Sequence, residues 1–228
     1  MKKWITKHGI TVIRLDGIRC SCFAIETENE KWLVDTSALS DRKRIVKQMQ
    51  MNDIDELDGI ILTHAHINHV ASASFFAEKF RCPVYIHDSE LHFVQTGDCM
   101  IPKAAKPSIE FVERMVSMIP FLNKYPACRD AKAIPLEEPL ILNEYIRIIE
   151  TPGHSEGGIS ILIDDELAIV GDIMRKLGCF QVRPVWANQP GLIEVSWKKL
   201  LQEKCKIYLP SHGGDITREQ IEKELAKM

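Results

Sequence analysis

Apolar runs of strand length recur along the chain, and five of them end in a residue able to bind a metal ion or hold a proton. Trp32-Leu33-Val34 leads to Asp35, and Ile60-Ile61-Leu62 leads to His64. Ile146-Arg147-Ile148-Ile149 runs on to Thr151-Pro152-Gly153-His154, Leu167-Ala168-Ile169-Val170 to Gly171-Asp172, and Ile207-Tyr208-Leu209 to Pro210-Ser211-His212. Such runs predict strands. In layered α/β proteins a packed sheet fixes the backbone at strand ends, while the loop that follows is free to carry chemistry. Five dispersed loops are therefore expected to converge on one rim.

Helical periodicity fills the gaps between these runs. Asp41 to Met51 places Ile45, Val46 and Met49 at helical spacing, with Ser40 as N-cap. Val70 to Phe80 predicts a helix that begins directly behind His69. Ile216 to Met228 reads as a charged amphipathic helix capped by Thr217 or Asp215, with Ile221 and Leu225 as its apolar seam. Strands with intervening helices imply helices covering a sheet on its outer faces. The segment 97–139 differs: prolines at 102, 107, 120, 126, 135 and 139 punctuate it, and only Ile109 to Ile119 keeps a helical pattern. Two readings stay open, a cap inserted into the domain or a helical crossover between its halves. Either one is a candidate wall for a substrate.

The chain has 228 residues, 45% hydrophobic and 27% charged, with a formal net charge of -3, which fits a single domain spanning 1–228. Mild acidity argues against a nucleic-acid partner. Neither an apolar signal region after Met1-Lys2-Lys3 nor a long apolar stretch is found, so a cytoplasmic location without membrane contact is expected. Seven scattered cysteines with no C-x-x-C pair fit reduced core thiols.

The densest chemistry lies in Thr63-His64-Ala65-His66-Ile67-Asn68-His69, where three imidazoles and one carboxamide fall within six consecutive positions. Imidazole is the commonest protein ligand for a first-row transition metal, and a turn after a strand aims successive side chains at one point. This tract, followed in order by Gly153-His154, Gly171-Asp172 and Ser211-His212, with Asp35 closing an early strand, resembles the five motifs of the metallo-β-lactamase superfamily. The resemblance spans most of the chain. It implies an α/β fold, the four-layer αββα sandwich, with a binuclear metal site. It further implies that His64, His66 and His154 bind the first ion, His69 and His212 the second, and that Asp172 bridges both. Asp35 is expected to act behind the ligands, as an acceptor for a metal-bound imidazole.

Three neutral nitrogen donors leave a zinc ion one open position for chemistry. Water held between two ions becomes a nucleophile near neutral pH, so the reaction expected is hydrolysis of a small ester, thioester or lactone. One or two zinc ions are expected, with iron or manganese as alternatives.

Asn68 departs from the superfamily pattern, which has Asp there. Asn keeps the shape and loses the charge, and its NH2 only donates. Three explanations stay open: an introduced substitution, a protein that works with one metal, or a fold that has lost catalysis. Sulfur dioxygenases of the superfamily bind a single iron at positions matching His64, His154 and Asp172, so a mononuclear dioxygenase is the second enzyme class. A metal-binding protein without turnover is the third reading. Asn68 and Asp172 are the candidate catalytic residues. Arg175 and Arg183, after the Gly-Asp motif, are candidates for meeting an anionic group of the substrate.

Overall fold

β-Branched and aromatic residues crowd the first strands, and they pair as a meander. β1 (Lys3–Ile5), β2 (Thr11–Leu15), β3 (Cys22–Glu26) and β4 (Lys31–Val34) are joined antiparallel in sequence order. A computed structural model describes residues 2–18, 20–100, 124–134, 140–176 and 182–227 of the chain. The described residues divide into two units, one formed by residues up to 100 with 124–134, the other by residues from 140 onward.

In the first unit the sheet changes character after β4. β5 (Gly59–Ile61), β6 (Val84–His87) and β7 (Lys132–Ile134) continue it in parallel, giving seven strands in the order β1 to β7. Parallel neighbours need crossovers. α1 (Arg42–Gln50) supplies the first, and α2 (Ile67–Val70) with α3 (Ala73–Phe80) the second. Ile45 and Met49 of α1 and Phe76 of α3 are fully buried in one core with Ile13, Leu33 and Ile60. Each such aliphatic side chain contributes about 1.5 to 3 kcal/mol by leaving water. α4 (Leu91–Thr96) turns its Val94 into the same core.

The second unit carries six strands. β8 (Leu140–Asn143), β9 (Ile146–Glu150), β10 (Ile159–Ile163) and β11 (Leu167–Gly171) form an antiparallel meander; β12 (Ile207–Pro210) then pairs parallel with β11 and antiparallel with β13 (Ile216–Thr217). β10 and β11 are buried at every position, as their unbroken apolar sequence requires. α5 (Leu192–Gln202) and α6 (Arg218–Leu225) complete the unit. Trp197 of α5 is fully buried and donates its indole N–H to the Ile173 carbonyl at 2.8 Å.

Three helix expectations are corrected. Ser40 is not the N-cap of α1; it lies inside a 3-10 turn, Leu39–Asp41, and Asp41 takes the cap position. The helix expected over Val70 to Phe80 is broken, because α2 ends at Val70 and α3 begins only after Ser72. α6 starts two residues later than expected, since Ile216 and Thr217 are spent on pairing with β12. Thr217 caps it through a capping box with Gln220, and Asp215 does not. The helical pattern Ile109 to Ile119 lies outside the described residues, as does most of 97–139.

Candidate metal centre

The histidine tract leaves β5 and enters α2 with its backbone tied down at each end. The Thr63 amide donates to Asp35 Oδ1 at 2.8 Å, the Ala65 amide to Glu90 Oε2 at 2.5 Å, and the His69 carbonyl accepts from the Thr36 amide at 2.7 Å and the Thr36 hydroxyl at 2.8 Å. His64, His66 and His69 are all buried, and a ligand nitrogen of His64 lies within 4.8 Å of one on His66 and of one on His69. His64 meets His66 edge to face, ring centroids 4.6 Å apart.

Asp35 decides how two of these rings present themselves. It is fully buried with a left-handed φ of 60°, and its Oδ2 lies 2.8 Å from His69 Nδ1. The Thr63 hydroxyl, 2.9 Å from the same oxygen, spends its proton there and accepts from His64 Nδ1 at 3.0 Å. With both Nδ1 atoms donating, Nε2 is the lone-pair nitrogen of each ring. Metal-binding histidines commonly have this arrangement, with an acceptor fixing the outer nitrogen.

The second unit gathers the other donors at the ends of β9, β11 and β12. Asp172 Oδ2 lies 3.2 Å from His212 Nε2 and 3.7 Å from His154 Nε2. His154 Nδ1 donates to the Trp186 carbonyl at 2.8 Å, which again leaves Nε2 as the lone-pair nitrogen. His212 is fixed by its backbone: its carbonyl accepts from the Lys176 amide at 3.0 Å, and Gly213 follows with φ of 89°. A Cβ at Gly213 would stand 2.0 Å from the Lys176 carbonyl oxygen, so no other residue fits.

The tract thus unites His64, His66 and His69 in one unit, and His154, Asp172 and His212 are united in the other. Asn68 sits half-buried within α2. Lys176 is occupied structurally, donating to the Asp215 carbonyl at 2.8 Å. Arg175 and Arg183 are half-buried, and the Arg175 amide donates to the Val182 carbonyl at 2.9 Å. His87 is held locally, its Nδ1 2.8 Å from the Ser89 hydroxyl.

Two residues near the tract were not apparent from sequence. Glu90, 1% exposed, follows strand β6 and grips the Ala65 amide between two of the histidines. Its neighbours Asp88, Ser89 and His92 are exposed, so no local pattern in the sequence singles it out. Cys20 is buried with its Sγ 3.5 Å from His69 Nδ1. None of the six described cysteines is in a disulfide. Burial pushes the thiols of Cys82 and Cys128 up to about 11 and that of Cys205 up to about 12, and it raises Cys22 as well, so these four remain neutral core groups.

Comparison with known proteins gives these donors a family. Residues 15–212 match the model of the metallo-beta-lactamase superfamily, and the chain belongs to it. A probable metallo-hydrolase of Methanocaldococcus jannaschii is 29% identical over 64% of the chain and 63% of its own length, so the match spans under two thirds of that relative. A probable metallo-hydrolase of Bacillus subtilis is 28% identical over 71% of the chain and 72% of its own length. Among solved structures, an archaeal metallo-beta-lactamase superfamily protein from Sulfolobus tokodaii superposes with a TM-score of 0.67 at 19% identity, covering 97% of the chain and 86% of the neighbour. The α/β fold expected from the sequence, the αββα sandwich of the metallo-β-lactamase type, is the fold of this chain. The Methanocaldococcus jannaschii and Bacillus subtilis relatives are both named as probable metallo-hydrolases. Among the described residues no helix is long and apolar enough to cross a membrane.

Proposed function

We propose that the protein hydrolyses a small ester, thioester or lactone at a binuclear metal centre. His64, His66 and His154 would hold one ion and His69 and His212 the other, with Asp172 as the carboxylate ligand. Imidazole and carboxylate donors suit zinc, with manganese or iron as alternatives. Bound there, the ions supply an acidified water and polarise the scissile carbonyl.

The chain's own residues do the rest. Asp35, Thr63 and the Trp186 carbonyl keep His69, His64 and His154 in the tautomer with Nε2 open for a metal. Asn68 would orient a bound group by hydrogen bonds, and its side-chain NH2 accepts no proton. Arg175 and Arg183 meet an anionic group of the substrate. The chain is read as a single domain over 1–228, with 97–139 as a candidate cap or insertion, most of which lies outside the described residues. A set of reduced thiols suits the cytoplasm.

The observation that carries this reading is the trio of buried imidazoles His64, His66 and His69, two of which, His69 and His64, have their outer nitrogens fixed by Asp35 and Thr63. Elemental analysis of protein purified without added metal tests it, together with turnover of an aryl ester, thioester and lactone panel. Zinc or manganese near two ions per chain with ester or lactone turnover is expected. His66→Ala should empty the tighter site while His87→Ala leaves it intact. One iron per chain with consumption of oxygen would replace the hydrolase by the dioxygenase reading, and equal metal in both variants would overturn the ligand set.

A further inference from the structure

Burial holds most of the candidate imidazoles in place, and His212 is the exception. Its side chain is 24% exposed, against 7% for that of His154, while His64, His66 and His69 are buried. A ring so loosely packed depends on its backbone for position. The segment that carries it leaves β12 beside the segment that leaves β11: the Ser211 amide donates to the Gly171 carbonyl at 3.1 Å, and the Lys176 amide to the His212 carbonyl at 3.0 Å. From the same β11 segment, Asp172 Oδ2 comes within 3.2 Å of His212 Nε2.

Lys176 then follows the chain past His212, residue by residue. A Cβ added at Gly213 would stand 2.9 Å from Lys176 Cβ, and one added at Gly214 3.7 Å from Lys176 Cδ, so the aliphatic stem lies along the two glycines. Its ammonium donates to the Asp215 carbonyl at 2.8 Å and reaches Gln220 Oε1 at 3.4 Å. The same Gln220 oxygen accepts from the Thr217 amide at 3.0 Å and so closes the capping box of α6. Lysines ordinarily keep the charged head in water and spend only the stem on packing. This one lays its head on two neutral acceptors, and a single side chain thereby joins the turn that carries His212 to the cap of a helix.

Resting on the binuclear reading, which makes His212 and Asp172 ligands, we propose that Lys176 is a positioning residue for His212. Its amide, stem and ammonium hold the 212–215 turn so that the ring meets Asp172, and they tie that turn to the cap of α6. Metal bound at His212 then steadies the start of α6, and loosening the cap weakens metal binding, because coupling between two sites is reciprocal.

Cobalt(II) titration of the metal-free full chain, with amide hydrogen exchange, tests the proposal without relying on activity. Lys176→Met keeps the stem and removes the ammonium. It should bind the second equivalent roughly 10 to 100 times more weakly, with an altered visible spectrum, and leave the first unchanged. Lys176→Arg should restore most of both, and Lys199→Met, which removes a bond of the same kind to the Glu150 carbonyl, should change neither. In wild type the second equivalent should slow exchange of the Thr217 and Gln220 amides, and in Lys176→Met it should not. Should Lys176→Met fail to fold, Gln220→Ala removes the acceptor at the cap and should weaken the second equivalent in the same direction. A second equivalent bound by the folded variant with wild-type affinity and spectrum, unchanged exchange at Thr217 and Gln220, or equal weakening of both equivalents with a lower melting temperature would overturn the positioning role and leave the binuclear reading standing. Uptake of a single equivalent, as tightly by His212→Ala as by wild type, would overturn both.

Discussion

Asp35 and His69 lie 2.8 Å apart with neither side chain exposed to solvent, and the carboxylate serves the Thr63 amide and hydroxyl at the same time. All the acceptor capacity facing the tract is therefore in use. Asp35→Asn places an NH2 against donors on every side, which strands at least one buried N–H or O–H at a cost of about 1 to 3 kcal/mol. Affinity for a metal at His69 should fall by about 10 to 100-fold, as loss of an outer-nitrogen partner commonly causes. Competition with a chelator of known affinity measures it. Unchanged affinity in a folded variant would mean that Asp35 holds the loop and does not orient the ring.

Glu90 makes a different contribution, because it grips the backbone between His64 and His66 through the Ala65 amide. Glu90→Ala removes a charge-assisted hydrogen bond in a buried place, worth about 1.5 to 3 kcal/mol, and should lower the denaturation midpoint of the metal-free protein. Glu90→Gln retains an acceptor for the Ala65 amide and should recover most of the loss. Paired urea melts with and without metal separate this from a ligand role. A difference between Ala and Gln variants seen only in the metal-loaded protein would contradict it.

Linear features were legible in the sequence, and long-range ones were not. His64, His66 and His69 sit in one tract, and Asp172 and His212 each follow a buried strand, so periodicity and strand ends located them. Cys20 and Glu90 reach the tract only through the sheet, 49 and 25 residues from the positions they touch, and nothing local marks a thiol or a carboxylate as aimed inward. The break between α2 and α3 was hidden for a related reason. Ala71 and Ser72 have no helix-breaking chemistry, and the Ser72 hydroxyl is instead drawn away to the Ala38 carbonyl at 3.2 Å and to Arg42. At Ile216 the helical pattern was real, but β12 offered those two residues a ladder, and strand pairing prevailed over propensity.

Arg175 and Arg183 give the substrate prediction. Arg175 Nε is buried and has no hydrogen-bond partner among the described residues, which leaves a charged donor for an incoming anion. Removing either charge, as Arg175→Gln or Arg183→Gln, should raise KM for anionic esters by about 10 to 100-fold and change KM for neutral esters little, since a hydrogen bond to a charged group is worth about 1.5 to 3 kcal/mol. Steady-state kinetics on matched anionic and neutral substrates reads the difference. An equal, modest change for both kinds would return the arginines to a structural role.

Asn68→Asp tests the position where the chain departs from its own family. The change is nearly isosteric and places a charged oxygen in the half-buried first turn of α2, beside His69. It adds both a metal ligand and an acceptor for the proton of the nucleophile. If Asn68 alone limits a binuclear hydrolase, kcat for an ester or lactone should rise at least about tenfold, equivalent to about 1.4 kcal/mol of barrier, with KM moving less. Metal content should rise towards two ions per chain in the same variant, because a charged oxygen replaces a neutral one. Metal analysis and steady-state kinetics on the pair of proteins read both effects, and a variant with neither more metal nor a higher kcat would remove position 68 from the mechanism.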